Sequence, residues 1–290
     1  MKQYLLLLRP LQWLKNVFVF APLFFSNSML KVDCLIESAL AFASFCLMSS
    51  AVYCLNDIQD AASDRLHPQK RLRPVASGQV SVGHAYAAMA LAIALSVLTA
   101  GLLRQSFVCE MMLLGYLLLN VAYCLKLKQY AIIDVTVIAV GFVLRVLIGG
   151  LATGIWVSHW LVLLTFLLTL MLALGKRDDD FRIFEQTGEQ PRKSITGYNR
   201  PFIRQAVSIT SAIVMVCYVM YTMSPEVIER LGTPYVYLTS VWVLAGLLRY
   251  IQNTTVYSRS GSPTKTLVRD RFLQLCIAGW IVSFIVILYC

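Results

Sequence analysis

The sequence predicts an all-α integral membrane protein, a single bundle of about nine transmembrane helices. Three observations predict it. Hydrophobic residues make up 58% of the 290 and charged residues only 14%, and the mean hydropathy is +0.69, far from the range of soluble domains. Apolar runs of about twenty residues, the length that crosses a bilayer, recur along the chain. Basic residues gather on alternate connecting segments, the asymmetry that orients membrane proteins.

The first span is expected over 11–30. Lys2, Arg9 and Lys15 lie before or within it and no Ala-x-Ala cleavage pattern follows, so it reads as a retained span and not a signal peptide. Further spans are expected at 35–56, 82–103, 107–125, 131–152, 158–175, 203–223, 234–252 and 272–290. With the N-terminus in the cytoplasm, basic residues fall on the N-terminal segment, 56–81, 125–130, 175–204 and 249–271. The other side keeps Lys31, Arg104 and Arg230. Positive-inside bias thus accounts for the net charge of +10 and argues against nucleic acid as a partner. It predicts a multi-pass protein of the inner (plasma) membrane whose polar segments face the cytoplasm. The eight cysteines form no C-x-x-C pair and mostly lie in apolar runs, as small hydrophobes of a membrane core do.

The second span ends in Asn-Asp-Ile-Gln-Asp-Ala-Ala-Ser-Asp, residues 56–64. Asp57, Asp60 and Asp64 are three and four residues apart, so a helix projects all three from one face, with Asn56 flanking it. Carboxylates at a membrane boundary are costly unless a cation meets them. Arg65, His67, Lys70, Arg71 and Arg73 follow directly. Oxygen ligands beside a basic loop suit a Mg²⁺-bridged diphosphate, the carboxylates holding the metal and the Lys/Arg groups the phosphate oxygens. The plainer alternative is a solvated helix end before a positive-inside loop.

The other long polar stretch, 175–202, starts Gly175-Lys176-Arg177-Asp178-Asp179-Asp180 and mixes both signs as far as Tyr198 and Arg200. Lys176 and Arg177 are candidates to face an anionic substrate, and Asp180 a metal or hydroxyl; local surface salt bridges are the alternative. The chain is expected to form one catalytic domain, 1–290, with 56–81 and 175–202 as cytoplasmic loops capping its site. Asn120, Tyr123, Lys126 and Lys128 close the fourth span. Asp134 and Arg145 are eleven residues apart, three helical turns, and so share a face. An Arg so deep in an apolar run must face the interior, bonded either to protein groups or to a substrate phosphate. Gly141, Gly149 and Gly150 permit close helix approach. Trp13 and Lys15 suit interfacial anchoring, but Lys15 and Asn16 already lie within the apolar run, where a Lys can hold a phosphate.

These residues resemble the UbiA-type intramembrane prenyltransferases through the Asn-Asp-x-x-Asp-x-x-x-Asp run that closes the second span. Residues 9–16 (RPLQWLKN), 55–68 (LNDIQDAASDRLHP), 70–78 (KRLRPVASG), 141–145 (GFVLR), 174–177 (LGKR) and 192–194 (RKS) are similar to the decaprenyl-phosphate phosphoribosyltransferase branch. The resemblance implies Mg²⁺ as cofactor, 5-phosphoribosyl 1-diphosphate as donor and a polyprenyl (decaprenyl) monophosphate in the bilayer as acceptor. It implies polyprenylphosphoryl-5-phosphoribose and diphosphate as products, for cell-wall or glycan precursors. Asn56, Asp57, Asp60 and Asp64 would hold the metal. Arg65, Lys70, Arg71 and Arg73 would meet the diphosphate, Lys176 and Arg177 the 5-phosphate. Lys15, Lys126 and Arg145 are alternative guides for the acceptor phosphate; Asn16, Tyr123, Lys128, Asp134 and Tyr198 complete the candidate substrate set. The 175–202 stretch departs from the wider family in lacking Asp-x-x-x-Asp. That speaks against the first alternative, transfer of an isoprenoid from its diphosphate to an aromatic acceptor. The second alternative is a transporter with Asp134 and Arg145 on an ion path.

Overall fold

The computed structural model describes residues 2–26, 28, 30–66, 70–188, 193–257 and 269–289. His67 and Arg192, both singled out in the sequence, lie outside the described residues. Among the described residues every regular element is a helix. The chain divides into two compact units, residues 1–127 with 141–157, and 128–140 with 158–290.

The first unit contains α1 (Lys2–Leu8), a 3-10 segment (Pro10–Phe20), α2 (Ala21–Phe25), α3 (Val32–Leu66), α4 (Val82–Ala100) and α5 (Ser106–Leu125). It also takes the second half of α6 (Ile133–Thr153). Its core is the apolar face of α3 (Phe45, Met48, Val52) against Leu113 and Tyr116 of α5 and Ile148 and Ala152 of α6. α4 is the helix packed most extensively on α3. Its start is fixed by Ser81, whose hydroxyl accepts the His84 backbone N–H.

α3 runs for 35 residues. At 1.5 Å per residue that is roughly 50 Å, against a hydrocarbon core of about 30 Å. Its apolar part therefore spans a bilayer and its last turns, which carry Asn56 to Arg65, extend beyond it. The 56–81 stretch is thus not all loop: 56–66 is helix, and the described turn from Lys70 onward packs back on that helix. In the same way α7 (His159–Thr187) is 29 residues long and carries Lys176 to Asp180 on its helical extension.

The second unit holds the first half of α6, then α7, α8 (Arg200–Met223), α9 (Pro225–Leu231), α10 (Ser240–Thr255) and α11 (Arg271–Tyr289). Ser158 caps α7 by accepting the Leu161 N–H, and Asn199 caps α8 by accepting that of Phe202. α7 and α8 enclose Met171, Leu174, Ile203, Val207 and Val214, with Leu247 and Tyr250 of α10. Gly175 permits one contact here, since a Cβ at that position would strike the Tyr250 hydroxyl.

Among the described residues six helices are long and apolar enough to cross a membrane, or seven if α9 and the helical run Tyr235–Thr255, bent by 99°, count as one span. The expected nine is therefore approximate. Gly232, at φ 71°, ends α9, and Pro234 follows, so the bend lies just ahead of the eighth expected span, 234–252, which corresponds to the run Tyr235–Thr255. The ninth, α11, is a shorter apolar helix. The first expected span, 11–30, is not one α-helix: Pro10–Phe20 is 3-10 and only Ala21–Phe25 is α-helical. Two of its polar side chains bond to α3, Trp13 Nε1 to Ser50 Oγ at 3.0 Å and Asn16 to Ser49 Oγ at 3.2 Å. Its backbone at Val19 lies so close to α6 that a Cβ at Gly149 would collide with it.

Candidate active site

In the first unit the acidic face of α3 is met by two arginines. Asp57 and Asp64 are two turns apart and both are buried, while Asp60 is half-buried. Arg73 Nη1 lies 2.6 Å from Asp64 Oδ2 and 3.6 Å from Asp57 Oδ1. Arg9 donates from Nη2 to the same Asp57 Oδ1.

Local folding explains how Arg73 arrives there. The segment after the 3-10 turn Lys70–Leu72 closes on itself, Ser77 N–H donating to Arg73 O and Val80 N–H to Pro74 O. Val75 and Val80 bury against Ala61 and Cys54 of α3 and Leu7 of α1. Arg65 Nε donates to Ala76 O at 3.2 Å, so Arg65 ties the turn down. Lys70 is half-buried and Arg71 exposed. Asn56 Oδ1 faces Cys124 Sγ at 3.7 Å.

The donor set suits a hard divalent cation in one respect: Asp57 Oδ2 is buried with no hydrogen-bond partner, an oxygen that a cation would satisfy. The three carboxylates are nevertheless not gathered as a ready cage. Among the described residues no three His, Cys, Asp or Glu side chains are placed to share a metal ion. Instead, Arg9 and Arg73 pair with the Asp57 and Asp64 carboxylates.

Deeper in this unit, Arg145 donates to Asn16 Oδ1 (2.7 Å), Gly141 O (2.6 Å) and Tyr116 OH (3.1 Å). Its guanidinium also lies against the rings of Phe45, Tyr116 and Phe142. Asn16 in turn donates to Ser49 Oγ at 3.2 Å and to Cys46 Sγ. Arg145 is thus bonded to protein groups, and through Asn16 it ties α6 to the 3-10 segment. Lys15 and Tyr123 are half-buried and Lys126 is exposed.

In the second unit, Asp134 and Arg177 form a buried ion pair, Nε to Oδ2 at 2.8 Å. Arg177 Nη1 also bonds Asp180 Oδ2 at 2.5 Å. Asp134 accepts from Ser194 Oγ (3.0 Å) and Tyr198 OH (2.7 Å). Tyr198 OH accepts the Ile132 backbone N–H at 2.7 Å, holding a β-branched residue at φ 68°. Burial, and after it the bond to Asp134, pushes the Tyr198 hydroxyl well above its ordinary range. Lys176, half-buried, sits one residue before this network, and Lys128 is half-buried in the 3-10 turn Leu127–Gln129. The structure therefore places Arg177 inside the protein, where the sequence suggested a phosphate contact. Asp134 and Arg145 do share α6, but each closes its own network, Asp134 in the second unit and Arg145 in the first.

Arg9, which pairs with Asp57, was not among the candidate residues read from the sequence. Its partner is 48 positions away, and the visible signal was only its place before Pro10 in the RPLQWLKN block.

The long apolar helices define a multi-pass membrane protein. The chain belongs to the UbiA prenyltransferase family, whose sequence profile matches residues 19–275, and the family's members are transferases. It is 31% identical to a decaprenyl-phosphate phosphoribosyltransferase of Corynebacterium glutamicum, over 97% of this chain and 85% of that one. It is also 31% identical to a protein of the same name from Mycolicibacterium smegmatis, over 94% and 88%. A solved UbiA homologue from Archaeoglobus fulgidus, bound to GPP and Mg²⁺, has the same fold with a TM-score of 0.74, 21% identity and coverage of 99% and 100%.

Proposed function

We propose that this chain is a polyprenyl-phosphate phosphoribosyltransferase. It moves 5-phosphoribose from 5-phosphoribosyl 1-diphosphate to a polyprenyl (decaprenyl) monophosphate, giving polyprenylphosphoryl-5-phosphoribose and diphosphate for cell-wall or glycan precursors. The observation that carries this reading is the likeness to relatives of that name over nearly the whole of both chains. The acidic end of α3, with arginines already paired to it, supports it.

When bound, Mg²⁺ neutralises charge on the departing diphosphate. Asp57, Asp60 and Asp64, with Asn56, would hold it, with the unpartnered Asp57 Oδ2 as one ligand. Arg73, with Lys70 and Arg71, meets the diphosphate oxygens. Lys176, at the polar end of α7, is the side chain best suited to the 5-phosphate; Arg177 positions it by tying α7 to Asp134. The bond from ribose C1 to the diphosphate oxygen breaks, and an oxygen of the lipid phosphate attacks the opposite face with inversion. A phosphate monoester is anionic near neutral pH, so the acceptor needs no general base. The protein works in the inner membrane with the protruding ends of α3 and α7 in the cytoplasm, where the water-soluble donor reaches them.

The test is a thin-layer assay with purified protein, radiolabelled 5-phosphoribosyl 1-diphosphate, decaprenyl phosphate and Mg²⁺. A labelled lipid that disappears with EDTA is the expected product. A labelled lipid made only from a prenyl diphosphate and an aromatic acceptor would overturn the proposal.

A further inference from the structure

Three features of the acidic face coincide. The Asp57 side chain is fully sealed, while Arg9 and Arg73, which flank it, are about a quarter exposed at 23% and 24%. Asp57 Oδ1 carries both guanidinium groups and Oδ2 carries no hydrogen bond. Arg9 reaches its partner from a left-handed backbone conformation, φ 52° and ψ 57°, with its guanidinium 5.1 Å from the centre of the Tyr53 ring. A residue with a Cβ holds such a conformation only where its surroundings fix it.

We infer that Arg9 and Arg73 are counter-ions that exchange partners. In the metal-free protein they neutralise Asp57 and Asp64. A bare divalent cation must displace them, and that leaves two guanidinium groups beside a third positive centre. A diphosphate removes this obstacle, because guanidinium groups bind phosphate oxygens in bidentate fashion. The arginines turn from carboxylate to diphosphate as the cation takes their place. Metal and diphosphate then bind synergistically, and by linkage each raises the affinity for the other by the same factor. Arg9 thereby becomes a binding residue of the site, reached from the N-terminal segment. The inference rests on the proposed donor only in taking diphosphate as the incoming anion.

The test measures metal retention. Purified protein in detergent is dialysed to equilibrium against radioactive Mn²⁺, with and without inorganic diphosphate, beside a protein-free control. Wild type should retain Mn²⁺ at least about tenfold more tightly with diphosphate present, within the usual range of coupling between sites. Arg9→Gln should bind Mn²⁺ alone about tenfold more tightly than wild type, and diphosphate should then add little. Arg9→Lys, which keeps the charge, should stay near wild type. If Arg9→Gln does not fold, Arg73→Gln reads the same exchange. Wild type retaining Mn²⁺ equally with and without diphosphate would overturn the inference, as would a neutral variant that gains nothing. Mn²⁺ retained under neither condition would overturn it together with the metal assignment. Intact synergy in a protein that makes no labelled lipid would support the exchange and count against the donor alone.

Discussion

Arg177 Nε lies 2.8 Å from Asp134 Oδ2, with the two side chains 1% and 0% exposed. Removing one partner of such a pair strands the other charge, at a cost of about 3–5 kcal/mol. Arg177→Gln and Asp134→Asn should each lower the melting temperature in detergent, and the double variant should lose less than the sum. Arg177→Lys with unchanged stability and a raised KM for the donor would instead make Arg177 a substrate contact.

The α3 carboxylates are expected to behave differently. Asp57→Asn keeps the side chain's shape but removes the charge that Arg9, Arg73 and the proposed cation share. Transfer should fall by on the order of 10²-fold or more, while membrane insertion and detergent behaviour stay intact. The thin-layer assay beside size-exclusion chromatography measures both.

Arg145 has three neutral hydrogen-bond partners and three aromatic neighbours, an arrangement that braces the N-terminal segment. Arg145→Leu should therefore reduce stability and increase proteolysis near Asn16. Arg145→Lys should restore only part of it, since an ammonium cannot reproduce the planar fork. A raised KM for the lipid phosphate at unchanged stability would contradict this.

At the start of α11, Asp270 caps the helix. Partial burial works to raise its carboxyl, but the Leu273 backbone N–H, the Asn253 amide and Arg249 outweigh burial and hold it below the usual carboxylate range. A depressed folded value means that its stabilising contribution is present above the unfolded carboxylate range and is lost as pH falls through the folded value. The protection of the amides at the start of α11, their exchange rate taken against that of the unfolded chain at the same pH, should therefore fall on acidification. In Asp270→Asn that protection should already be low near neutral pH and change less with acid.

The features legible in the sequence were those set by local spacing. The three- and four-residue intervals placed Asp57, Asp60 and Asp64 along one side of α3, and the apolar run before them is the spanning part of that helix. What spacing could not supply was partnership across the fold. Arg177 looked like a phosphate ligand because Gly-Lys-Arg is local, whereas Asp134 lies on another helix. Asp134 and Arg145 share a side of α6 by periodicity, yet packing gives each its own network. The first span looked α-helical because its composition is apolar. Hydrogen bonds from Asn16 and Trp13, and the proximity of Val19 to Gly149, are tertiary facts.

The unbroken run of α3 from Val32 to Leu66 has a mechanical consequence. The bilayer grips the first part of one rigid rod and the carboxylates ride on its tip. Their height above the membrane and their angular phase are thus fixed by where the greasy part of the rod settles. A single residue inserted near Ser44 would turn the whole acidic tip by roughly 100° and point it away from Arg73 without altering any residue of the tip. Natural variation in length should therefore be tolerated beyond the end of α3 and forbidden within the rod.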